Sequence, residues 1–107
     1  MNELAQRRCQ PLEGHPAMTA AEVSAHLAQA PGWALLDGAI QKTYAFADYH
    51  RTIAFVNALA WVANAEDHHP DLQLSYGHCV VRFNTHSVQG ISINDFICAA
   101  KVDALLS

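Results

Sequence analysis

Three of the four histidines in the stretch "AEDHHPDLQLSYGHCVVRFNTH" are candidates for chemistry: the adjacent pair His68 and His69, and His86. Imidazole titrates near neutrality, so one ring can accept a proton while another donates one. The same residues admit two other readings. One is a solvated polar loop ahead of Pro70. The other is a zinc site, but the chain has no HExxH, no CxxC and no third ligand at a recognised spacing. Cys79 and Cys98 sit in apolar segments, where a core thiol is the default. No GxSxG motif offers a nucleophile, and no glycine-rich loop offers a phosphate cradle. Chemistry that needs only proton transfer fits this inventory best.

The elements that must position these residues can be read from pattern. Thr19 opens a helix with a "TAAE" capping box, and "PGW" ends it after Ala30. Asp37-Gly38 is a two-residue hairpin turn, followed by alternation at Ile40, Lys42, Tyr44 and Phe46. Asp48 caps a long helix whose stripe is Ile53, Val56, Ala60 and Ala63, flanked by Phe55, Leu59 and Val62. That helix must stop before Pro70. Leu72, Leu74 and Tyr76 alternate as a half-buried strand, Gly77 turns the chain, and "HCVVRFNT" returns. Ser92 opens the last helix, with Phe96, Ala99, Ala100 and Leu105 on its apolar side.

The order helix, two strands, helix, two strands, helix predicts a single α+β domain. Its four-stranded antiparallel sheet carries helices on one face. Residues 1–18 read as a loosely structured arm and 19–107 as the domain. The two strand–strand–helix units resemble a weak internal duplication. If the third strand pairs with the fourth, the end of the fourth returns beside the start of the third. That brings His86 to the His68-His69 corner, with three imidazoles around one pocket rim.

Composition narrows the function. The 107 residues suit one domain, and 51% hydrophobic content is not that of a disordered chain. A net charge of -4 with six Lys and Arg argues against nucleic acid and against anionic membranes. No apolar run follows Arg7 and Arg8 as a signal peptide requires, and "IAFVNALAWVANA" is too short to span a bilayer. Three cysteines without a CxxC pair read as free thiols in a reducing cytoplasm.

The chain also resembles the pterin-4a-carbinolamine dehydratases. The matching features are "PGW" at 31–33, "YAFADY" at 44–49, "DHHPD" at 67–71, "YGHCVVRF" at 76–83, "THS" at 85–87, and Gly90 followed by Asp95. The resemblance implies a cytoplasmic lyase that dehydrates 4a-hydroxytetrahydropterin to quinonoid dihydropterin, without metal or other cofactor. It implies pterin recycling for an aromatic amino acid hydroxylase such as phenylalanine hydroxylase. It also implies a homotetramer built as a dimer of dimers. His68 then matches the acid on the departing hydroxyl, His86 the base near N5, His69 a pterin-binding residue and Asp95 a supporting acid. Asp95 has a competing role as the third residue of an "SIND" capping box. The family commonly has an acidic residue where Asn64 stands; Asn64 can hydrogen-bond an imidazole or the pterin but cannot supply charge. Trp33 reads as a core or interface aromatic. The rival reading, from relatives on the same fold, is a non-catalytic coactivator-like or chaperone-like assembly partner.

Overall fold

The computed structural model describes residues 3–107. After a short 3-10 turn at Glu3–Gln6 come α1 (Ala20–Leu27), β1 (Ala34–Leu36), β2 (Ala39–Ala45) and α2 (Tyr49–Glu66). β3 (Asp71–Leu74), β4 (His78–Phe83), a second 3-10 turn (His86–Val88) and α3 (Ile93–Ala104) follow. The sheet order is β1-β2-β4-β3, with all neighbours antiparallel. The second strand of each hairpin therefore lies in the centre.

Local signals fix most boundaries. Thr19 and Glu22 exchange both bonds of a capping box, as do Ser92 and Asp95. The Asp48 side chain accepts from the Arg51 amide. Asp37 and Gly38 both take positive φ, the geometry a two-residue hairpin turn requires. The helical segment α1 is shorter than expected: it ends at Leu27, and two turns, Gln29 N–H to His26 and Ala30 N–H to Leu27, carry the chain to Pro31.

The core lies on one face of the sheet. Ile40 and Tyr44 of β2 are level with Phe83 and Cys79 of β4. They are buried with Val81, Trp33, Phe55, Leu59, Phe96 and Val102. Trp33 is a core residue: its Nε1–H donates to Asp103 Oδ2 at 3.0 Å, and its ring packs on Phe83. Lys42 and Tyr44 also donate to Asp103, which ties the end of α3 to the sheet. Burial, then the Asp103 contact, pushes the Tyr44 hydroxyl above its ordinary pKa.

Three expectations need correction. The buried stripe of α2 is Thr52, Phe55, Leu59 and Ala63; Ala60 is exposed and Ile53 only half-buried. The Thr52 hydroxyl is buried because it donates to Asp48 and Tyr76 carbonyls. β3 is not half-buried. It is a sheet edge, and Leu72, Leu74 and Tyr76 are all exposed. On α3, Phe96, Ala99 and Ala100 are buried as expected, but Leu105 lies past the helix end and is exposed.

Residues 3–18, expected to be loose, are fastened along α2 and α3. Arg8 pairs with Glu66 at 2.8 Å, and the Cys9 amide donates to Glu66 Oε1. Gln10 and Asn94 exchange two hydrogen bonds, and Lys101 donates to the Ala5 carbonyl. Burial alone would raise the Glu66 pKa, but the Cys9 amide, Lys101 and Arg8 together hold it below the ordinary value. Ala17 approaches so closely that a Cβ on Gly90 would lie 2.9 Å from the Ala17 Cβ. That contact accounts for glycine at position 90.

Candidate active site

The site is built where α2 ends. Asp67 takes the left-handed conformation, and the His68 amide reaches back to the Ala63 carbonyl at 3.1 Å. This is the Schellman closure, with aspartate in the place usually held by glycine. It turns the chain so that His68 faces inward while His69 stays exposed. β3 then pairs with β4 in the register Asp71↔Arg82. Continued backward, that register sets His69 level with Asn84 and His68 level with Thr85, next to His86.

His68 is held on two sides. Its ring lies nearly parallel to Phe83, at 7° with centroids 5.8 Å apart. Its Nε2 lies 2.6 Å from Asp95 Oδ1. Asp95 is fully buried, and its other oxygen accepts from the Thr85 hydroxyl at 2.8 Å and the Ser92 amide at 2.9 Å. A carboxylate surrounded by three donors is satisfied as an anion, because the ionised group only accepts. Thr85 spends its one proton on Asp95. The Ser92 hydroxyl, 2.7 Å away, therefore donates to Thr85 and receives the Asn94 amide.

With Asp95 ionised, this network selects one His68 tautomer. Nε2 carries the hydrogen donated to Asp95. Nδ1, which has no hydrogen-bond partner among the described residues, is left to accept or deliver a proton. Asp95 uses both oxygens: Oδ2 closes the capping box and Oδ1 meets the His68 imidazole.

The other two histidines are placed differently. His69 Nε2 lies 3.1 Å from Asn64 Oδ1, at the exposed end of α2. His86 is exposed in the 3-10 turn after β4, held by the Thr85↔Gly90 bridge. The cavity beside His68, about 290 Å³, is lined by His68, Thr85, Ser87, Asn94 and arm residues including Cys9 and Gln10. Neither His69 nor His86 is among its walls. The three imidazoles thus share one corner of the backbone but not one cavity rim as expected. The short turn redirects His86 outward. Among the described residues no three His, Cys, Asp or Glu side chains are grouped to hold a metal ion. No helix there is long and apolar enough to cross a membrane.

Sequence reasoning missed Phe83, Thr85 and Ser92 as site residues. The "THS" motif contained Thr85, but its contact with Asp95 spans a loop that no periodicity reveals.

The family model described as pterin 4 alpha carbinolamine dehydratase matches residues 16–105. A protein of Nitrosomonas eutropha, provisionally named a pterin-4-alpha-carbinolamine dehydratase, is 50% identical over 106 residues, covering 97% of this chain and 94% of its own. A protein of Stenotrophomonas maltophilia with the same provisional name is 54% identical over 105 residues, covering 95% and 90%. The crystal structure of a transcriptional coactivator/pterin dehydratase from Brucella melitensis superposes with a TM-score of 0.81 at 29% identity, covering 85% of this chain and 99% of that one. The chain belongs to the pterin 4 alpha carbinolamine dehydratase family. Its α+β fold, with a four-stranded antiparallel sheet and three helices, is the pterin dehydratase fold.

Proposed function

We propose that this chain dehydrates 4a-hydroxytetrahydropterin to quinonoid dihydropterin and water. The observation that carries the reading is the His68–Asp95 pair, an oriented imidazole on a buried carboxylate, in a chain of this family. In the reaction the C4a–O bond breaks as the hydroxyl takes a proton and leaves as water. The N5 electron pair forms the C4a=N5 bond, and N5 gives up its proton to a base. His68, as imidazolium, delivers the first proton from Nδ1 while Asp95 balances its charge. His86, exposed and therefore reachable, takes the second. His69, braced by Asn64, holds the pterin ring. Nothing in this sequence of steps requires a metal or a redox cofactor.

The substrate arises when an aromatic amino acid hydroxylase turns over, so the functional partner is an enzyme such as phenylalanine hydroxylase and the setting is cytoplasmic. Stopped-flow decay of the 4a-carbinolamine tests the activity. Catalytic amounts of protein should accelerate decay well above the spontaneous rate; an unchanged rate would leave the non-catalytic coactivator-like or assembly reading in its place.

The surface supports self-association, and the family resemblance supplies the tetramer. β3 is an edge strand with Leu72 and Leu74 exposed, Tyr76 just beyond it is exposed too, and Trp61 on α2 is 79% exposed. An open apolar edge invites pairing, and a domain this small gains stability from a second interface. With that resemblance, these features support a homotetramer built from dimers. Light scattering at micromolar concentration should return four times the chain mass; a single-chain mass would contradict it.

A further inference from the structure

The unused chemistry of the molecule is a pair of thiols. Cys9 and Cys98 come from opposite ends of the chain, yet their sulfurs lie 3.6 Å apart. Cys98 is fully buried on α3, while Cys9 is half-buried on the arm. Cys9 is set in place by its amide bond to Glu66 and by the Gln10–Asn94 exchange in the next residue. Cys9 also lines the cavity beside His68. Cys79, the third cysteine, is buried in β4 against the sheet core, and burial pushes its thiol pKa up.

We propose that Cys9 and Cys98 form a redox modification site, in which a small-molecule disulfide oxidises the pair to an intramolecular disulfide. This goes beyond the dehydratase reading and does not depend on it. Only Cys9 is accessible, so it makes the first attack. Its sulfur bonds to one sulfur of the reagent, the reagent S–S bond breaks, and the other half leaves as a thiol. Cys98 then attacks the Cys9 sulfur of the mixed disulfide and expels the second half as a thiol. Two protein thiols are oxidised, one reagent disulfide is reduced to two thiols, and the protein protons leave on them.

The geometry suits closure. A disulfide bond is about 2.05 Å long, so the sulfurs must approach by roughly 1.5 Å. Cys9 lies outside any helix or strand, so rotation of its side chain with a small backbone shift can supply that approach while its amide stays bonded to Glu66. The contact with Cys9, followed by burial, raises the Cys98 pKa. Cys98 is therefore a poor first attacker; it acts second, once the free Cys9 thiol that holds its pKa up has become a mixed disulfide. Once formed, the bond would fasten the arm covalently to α3 beside His68.

The test uses the full chain, reduced, freed of reductant and incubated folded with excess glutathione disulfide. Thiols are then alkylated in denaturant and located by peptide mass spectrometry. The expected product is a chain lighter by two hydrogens and free of interchain links, with a Cys9–Cys98 linked peptide and only Cys79 alkylated. Cys9→Ser should block all oxidation, and Cys98→Ser should stop at a glutathione adduct on Cys9. A stable adduct on wild-type Cys9 with Cys98 still alkylatable would overturn the proposal. So would three alkylatable thiols, or a link through Cys79.

Discussion

Replacing His68 with alanine should lower dehydratase turnover by roughly 10²–10⁴-fold, the range general acid–base catalysis contributes. The loss should fall on turnover more than on pterin binding, because the role proposed for Nδ1 is on the leaving hydroxyl and not on the ring. His86→Ala should give a loss in the same range. The double variant should cost less than the product of the two, since groups acting as one unit are not additive. His69→Ala should behave differently and raise the Michaelis constant. Steady-state kinetics of the folded variants, with circular dichroism as the folding check, separates these outcomes. A His68→Ala protein with wild-type turnover would remove the imidazole from the mechanism.

The second large effect is on stability. Asp95→Ala should lower the unfolding free energy by about 3–5 kcal/mol, because three donors lose their buried acceptor. The fully buried carboxylate serves His68, Thr85 and Ser92 together. Its removal strands three donors and opens the cap of α3. Each orphaned buried group costs about 1–3 kcal/mol, and partial relaxation keeps the total toward the low end of the sum. Asp95→Asn keeps two acceptor sites on its one oxygen but turns an NH₂ group toward a donor, so it should cost less. It should still impair turnover, because a neutral amide does not balance an imidazolium. Urea unfolding followed by circular dichroism gives the answer; an Asp95→Ala loss below about 0.5 kcal/mol, the size of an ordinary surface change, would contradict the network.

How much of this was legible in the chain depends on the range of the interaction. Both capping boxes, the Asp37-Gly38 turn and the helix stop before Pro70 depend on residues a few positions apart, and each could be read directly. The phase of α2 could not. Alanine at 54, 58, 60, 63 and 65 blurs the contrast between faces, and Thr52 is buried because it bonds the distant Tyr76 carbonyl. β3 alternates like a buried strand, but its position at the sheet edge removes its cover within one chain. The arm looked loose because it has no period; its partners Glu66 and Asn94 lie 57 and 84 residues away.

The candidate site divides along the same line. The pairing of β3 with β4 was enough to bring His86 to the His68-His69 corner, since antiparallel register is set by the hairpin. It could not say where the rings point. The left-handed Asp67 turns His68 inward, and the 3-10 turn at His86–Val88 turns the third histidine outward. Asp95 was visible as a cap and as a family match. That one carboxylate does both at once is a fact of the Thr85–Ser92 packing, which is tertiary.

The most direct measurement is single-turnover decay of the 4a-carbinolamine with wild-type protein and with the folded His68→Ala, His86→Ala double variant, side by side. The proton-transfer account predicts rapid decay with the wild type and a rate near the spontaneous one with the double variant. Equal acceleration by both proteins would contradict it.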